Sequence, residues 1–117
     1  MNLSDNILAT IKKLLGLSSD YTEFDTDIIL HINSVFSILQ QLGVGPANGF
    51  KLVDGNETWA SYINNDNQIN DVITYVYLKV RSLFDPPTNS SILNAHQEMI
   101  KELEWRLNVA VDDGTDS

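Results

Sequence analysis

Hydrophobic positions recur every three or four residues along most of the chain, which predicts helices. Leu3, Ile7, Leu8, Ile11, Leu14 and Leu15 share one face, with Ser4 placed as the N-cap and Gly16 as the stop. After the polar stretch LSSDYTEFDTD, Asp25 or Thr26 is the expected cap of a second helix. Its apolar stripe is Ile28, Ile29, Ile32, Val35, Phe36, Leu39 and Leu42, closed by Gly43.

The pattern then breaks at GVGPANGFKLVDGNETW. Gly43, Gly45, Pro46 and Gly49 exclude a helix, and Phe50 to Val53 running into Asp54-Gly55 suggests a short extended arm or hairpin. Thr58 is placed to cap one or two helical turns through Trp59, Tyr62 and Ile63, and NNDNQIND reads as a polar link. The segment QINDVITYVYLKVRSLF is two-sided. It is rich in Val, Ile and Tyr, and residues 72–80 also read as alternating. Yet Ile69, Val72, Ile73, Val76, Val80 and Leu83 keep a 3–4 spacing over far more than the ~5–6 residues of an average strand, so a helix is expected. Tyr75, Tyr77 and Leu78 on its other side mark it as central and buried.

Phe84, Asp85, Pro86 and Pro87 form a corner. Each proline disfavours helical dihedrals in the residue before it and fixes its own φ, so the central helix must stop near Phe84 and the turn is stiff. The last helix is expected to begin between Thr88 and Ser91 and to run to about Val111. Ile92, His96, Met99, Ile100, Leu103, Leu107 and Ala110 make one face; Glu98, Lys101, Glu102, Trp105 and Arg106 lie opposite. An acidic tail over about 112–117 is expected to be disordered. The reading is one all-α domain over 1–117: a small bundle of four main helices, with a Gly-rich arm or hairpin (Gly45, Pro46, Phe50, Asp54, Gly55, Trp59) between the second and third.

Composition narrows the function classes. At 117 residues and 43% hydrophobic the chain builds one real core and no second. No apolar run approaches the ~18–20 residues of a membrane span, and the first residues lack the features of a secretion leader. The absence of cysteine excludes disulfides, thiolate metal sites and thiol catalysis, and fits a reducing compartment such as a bacterial cytoplasm. Seven basic against sixteen acidic residues, a net charge of −9, argue against gripping nucleic acid, although an acidic wall can surround DNA without holding it. The triplets at Asn56 and Asn89 are read as coincidental glycosylation matches.

Catalytic chemistry is not visible. His31 and His96 each lack a partner at metal-ligand spacing, so both read as packed or half-exposed side chains. Asp66, Gln68 and Asn70 lack the glycine and terminal glutamate of a calcium loop. No phosphate loop or nucleophile motif occurs. Glu98 and Glu102 are better explained as part of a solvated face with Glu102–Arg106 and Lys101–Glu104 ion pairs. The unusual residue is Trp105, which projects among charges. It either folds against a neighbouring loop or, with Arg106 beside it, anchors a protein–protein contact.

The blocks GVGP, ETWASYI, YVYLKVRSLFDPP and EMIKELEWRLN, in this order and spacing, resemble the head–tail connector (adaptor) proteins of tailed bacteriophages. The resemblance spans roughly residues 3 to 111. It implies a mostly helical neck protein, made in the host cytoplasm, that forms a dodecameric ring docked on the portal. The ring would extend the DNA channel, let DNA pass without specific binding, and offer a platform for the stopper or tail-completion protein. It implies no cofactor, no catalysis and no membrane, and it favours the helical reading of residues 68–84. The rival is a small acidic phage-encoded regulator, or a DNA mimic that occupies a host protein's basic groove. Carboxylates spaced like phosphates would favour that; here they are scattered among caps, loops and tail.

Overall fold

A computed structural model describes residues 3–63 and 66–115. Its elements are α1 (Ile7–Leu14), α2 (Asp25–Gln41), α3 (Trp59–Tyr62), α4 (Asp66–Phe84) and α5 (Ser90–Thr115), and among the described residues β pairing is limited to one isolated bridge, Asn6 with Thr58. The all-helical reading holds, with the short α3 as a fifth helix.

The two-sided segment is helical and central. α4 packs against α1, α2 and α5, and Ile69, Val72, Ile73, Tyr75, Val76, Leu78 and Val80 are all buried. Side chains that point nearly all round a helix are buried only if other elements cover it on several sides. Leu83, assigned to the same stripe, is an exception at 55% exposed; it sits in the last turn, where the chain leaves the bundle. The polar stretch expected as a link is largely the first turn of α4, while Asn64 and Asn65 of that stretch lie outside the described residues.

α1 starts later than expected. Asn6, not Ser4, caps it, its Oδ1 accepting from the Ala9 N–H at 2.8 Å. The reason is that the preceding residues are paired elsewhere. The Trp59 N–H donates to the Asp5 carbonyl, Ala60 N–H to Leu3, and Ile7 N–H to Glu57, at 2.8–3.1 Å. Asp25 is the first residue of α2 rather than its cap. Its carboxylate lies 2.8 Å from Nζ of Lys12, which is 3% exposed. The pair fastens α1 to the head of α2, and removing one partner would leave a buried charge uncompensated.

Between α2 and α3 there is neither a hairpin nor a free arm. Phe50 stands edge-on to Phe36 and Tyr62, at 5.4 and 5.3 Å between ring centres. Leu52 is buried, and the Asn33 side-chain amide holds both its N–H (2.7 Å) and its C=O (3.1 Å). Trp59 is fully buried, its indole N–H donating to Oγ1 of Thr10 at 3.1 Å. A small domain cannot leave that much aromatic surface in water, so the segment lies down on the bundle. The glycines permit this: Gly45 has φ +86°, and a Cβ there would sit 2.5 Å from the Tyr62 ring.

α5 is capped by Asn89, whose Oδ1 accepts from the N–H groups of Ser91 (2.9 Å) and Ile92 (3.2 Å). It runs to Thr115, past the expected end near Val111; residues 116–117 of the expected tail lie outside the described residues. At 26 residues it is about 39 Å long, close to the longest dimension of the molecule, 43 Å. Its later turns pack most deeply. Ile100, Leu103 and Leu107 are buried, whereas no residue from 90 to 99 is.

Candidate functional site

Two features combine at the C-terminal third of the chain: the corner that launches α5 and the outer face that α5 displays. At the corner, α4 is anchored by its last residue. Phe84 is half-buried, meeting the Phe24 ring at 5.3 Å and the His31 ring at 6.5 Å, both edge-on. Asp85 closes the helix with its N–H donating to the Arg81 carbonyl at 2.9 Å. Pro86 is exposed and Pro87 half-buried. The prolines therefore connect a fixed point on α2 to the start of a helix whose first ten residues have no buried member.

The outer face of α5 carries all five side chains expected there. Arg106 reaches Glu102 at 3.2 Å and crosses to Asp71 of α4 at 3.7 Å. Lys101 pairs with Glu98 at 3.6 Å rather than with Glu104. Glu104 is engaged inward, accepting the Tyr75 hydroxyl at 2.7 Å across the α4–α5 contact. The pKa of the Tyr75 hydroxyl is pushed well above the ordinary tyrosine value, first by desolvation and then by this carboxylate. Near the far end, the Asn108 side-chain amide donates to the Leu42 carbonyl at 3.3 Å and ties α5 to the end of α2. These contacts fix the rotation of α5 about its own axis.

That rotation leaves Trp105 outward, 67% exposed, the most exposed aromatic side chain described. No other ring stands against it among the described residues. The opposite, apolar face is also open over the first half of the helix: Ile92 is 48% and Met99 42% exposed, though sequence spacing grouped them with the buried Leu103 and Leu107. The spacing is right. The bundle is simply too short to cover the stripe.

Of the residues expected in an arm, Phe50 and Trp59 are inside, Gly45 and Gly55 are turn positions with positive φ, Pro46 is half-buried and Asp54 is exposed. His31 packs on Phe84 and His96 is half-buried. Among the described residues, no group of three or more His, Cys, Asp or Glu converges as metal ligands, and no helix is long and apolar enough to cross a membrane.

A helical bundle with an overhanging helix and an open Trp-bearing face suits an assembly role, and comparison with known families decides which. The family model described as phage connector protein matches residues 7–114. The chain belongs to the phage connector protein family. No curated protein and no solved structure matches it significantly. The match runs from the start of α1 to the penultimate residue of α5. Connectors are structural proteins rather than enzymes, and membership supports a connector role at the virion neck. The regulator or DNA-mimic alternative is left without support.

Two groups were missed by sequence reasoning. Lys12 reads as a surface lysine in a KK pair, and only the Asp25 contact reveals it as buried. Asn33 reads as a polar interruption in α2 and is in fact the clamp on Leu52.

Proposed function

We propose that this connector closes into a head-to-tail ring beneath the portal, extends the DNA channel, and presents a docking platform for stopper or tail-completion protein. The observation that carries the reading is the open face of α5: Trp105 among Glu98, Lys101, Glu102 and Arg106. Exposed Trp beside Arg is the composition of an interface anchor. A head-to-tail contact needs two unlike surfaces on each subunit. The apolar overhang at Ile92 and Met99 supplies the second. With a net charge of −9, the wall of such a channel repels DNA rather than holding it.

The test is the mass of the purified protein alone and mixed with its portal, by native mass spectrometry and electron microscopy. The expected outcome is a closed ring bound to the portal with one stoichiometry. Failure to associate with portal at micromolar concentrations, in moderate salt, overturns the reading.

A further inference from the structure

Asn48 is the one asparagine in the chain that is followed by glycine. The peptide nitrogen after an asparagine can close a ring onto the side-chain amide, and glycine, having no Cβ, hinders that closure least. Asn48 is exposed, and its side chain makes no hydrogen bond among the described residues. The side chains of Asn6, Asn33, Asn89 and Asn108 are instead committed to main-chain groups.

The fold requires the glycine that makes this pair reactive. Gly49 has φ +87°, and a Cβ there would stand 2.8 Å from Oε1 of Gln40. The turn over residues 46–49 is closed by the Gly49 N–H, which donates to the Pro46 carbonyl at 2.9 Å. Gln40 braces it from α2, its Nε2 donating to the Ala47 carbonyl at 3.0 Å. The turn therefore guards the site it creates, because the nitrogen that must attack is the one whose proton Pro46 holds. Both bonds lie at the edge of the bundle, where local structure opens without global unfolding. Asp54–Gly55 and Asp113–Gly114 are the other pairs to weigh. A carboxyl group closes such a ring only as the neutral acid. The Asn56 N–H, at 2.9 Å, holds the Asp54 carboxyl below its usual range and keeps it charged.

We infer that Asn48 is a site of spontaneous covalent modification in the folded protein, deamidating with water as co-reactant when the turn over residues 46–49 opens. The Gly49 nitrogen gives its proton to hydroxide and bonds to Cγ of Asn48. The Cγ–Nδ2 bond breaks, and Nδ2 leaves as ammonia with a proton returned by water. A five-membered imide remains, which water then opens. Addition at Cγ yields aspartate; addition at the main-chain carbonyl carbon yields isoaspartate, whose backbone runs through the side-chain methylene. Nothing is oxidised or reduced. Either product adds a negative charge. Isoaspartate also lengthens the main chain by one carbon, just before the stretch where Gly49 lies against Gln40 and Leu52 is clamped by Asn33. The inference is independent of ring closure by α5.

The experiment holds the full chain folded at physiological temperature, at neutral and at mildly alkaline pH, and follows its tryptic peptides by mass spectrometry. Asn48 lies in the peptide 14–51. A gain of about 1 Da, NH2 exchanged for OH, is expected first at Asn48, in two products that separate by chromatography, at a rate that rises with hydroxide. Relative to chain unfolded in urea, the folded chain should react more slowly, but by less than about a thousandfold, because a turn opens at lower cost than the domain unfolds. Gln40→Ala should speed the folded reaction about two- to tenfold, the net worth of one hydrogen bond. Hydrogen exchange at the Gly49 amide should quicken by the same factor, and the rate in urea should stay the same. Should Gln40→Ala fail to fold, Gln40→Glu, which keeps the shape and loses the donor, decides on the same readings. Conversion of another asparagine ahead of Asn48, equal rates in folded and unfolded chain, or a folded rate indifferent to Gln40 each overturn the inference. So does a slowing beyond about a thousandfold, which would mean that the reaction waits for global unfolding.

Discussion

Trp105→Ala separates a folding role from an assembly role because the two predict different magnitudes. With Trp105 67% exposed, only about a third of the side chain is lost from packing. A fully buried Trp→Ala change costs about 3–5 kcal/mol. Scaling by the buried share gives roughly 1 kcal/mol, or about 5 °C in melting temperature for a domain of this size. Helix content should not change, because alanine is a better helix former than tryptophan. At an interface hot spot the same truncation costs about 2 kcal/mol or more, about 30-fold per contact. Every joint of a ring is weakened alike, so closure should be lost at concentrations where the parent assembles. Thermal melting by circular dichroism and mass measurement on the portal mixture read the two effects separately. A drop of about 15 °C or more would show that Trp105 belongs to the fold after all. Normal melting with normal rings would show that this face touches nothing that matters for assembly.

Three further outcomes follow from the geometry. Gly45→Ala should cost at least about 2 kcal/mol in urea unfolding, combining the left-handed backbone penalty with collision against the Tyr62 ring; Gly16→Ala, at φ +85° with open space around it, should lose only the backbone part. An equal loss at both sites would refute the Gly45–Tyr62 packing. Burial raises the pKa of Tyr62 and Tyr75 above the ordinary 10.0, so above pH 10 the unfolded chain binds fewer protons than the folded one. Stability should therefore be unaffected by these groups below pH 10 and fall as pH rises beyond it, and ultraviolet titration showing all four tyrosines ionising freely in folded protein would contradict this. Replacing Pro86 and Pro87 by alanine should leave a folded subunit that gives open or heterogeneous assemblies on the portal. Uniform rings from that variant would mean that the corner serves the fold alone.

The helices were legible because each carries its own period. α2 and α4 show apolar spacing that tertiary context did not need to overrule, and Gly16 and Gly43 stop the first two helices with positive φ. What the sequence hid was pairing at long separation. Nothing local announces that the Leu3 and Asp5 carbonyls serve Ala60 and Trp59, which is why spacing alone starts α1 too early. For the same reason residues 43–57 read as an arm from the sequence alone. Glycine density correctly denied a helix there, but whether Phe50, Leu52 and Trp59 reach outward or inward depends on the aromatic faces of Phe36 and Tyr62, which come from elsewhere in the chain. For the site, the direction of Trp105 followed from helical geometry, whereas the exposure of Ile92 and Met99 did not, because periodicity names a face without saying how far its cover extends.

The two exposures on α5 have a geometric consequence for assembly. Ile92 and Met99 lie on the face that continues Leu103 and Leu107, and Trp105 lies on the reverse of the helix and farther along it. A two-fold dimer would use one patch twice; two dissimilar patches, displaced in height and turned away from each other, suit a contact in which each subunit gives one surface and receives the other. Such a contact repeats at a fixed rotation only if the patches are held rigidly with respect to the bundle. On the Trp105 side, the rigidity comes from Arg106 to Asp71, Glu104 to Tyr75 and Asn108 to Leu42. On the overhanging side Leu93 and His96 are only half-buried, and much of the constraint falls to the Asn89 cap and the two prolines that follow the anchored Phe84. A proline pair holds direction through its fixed φ without needing hydrogen bonds that an exposed loop would share with water. Where packing cannot set the angle of a helix, stiff covalent geometry at its base is the remaining means.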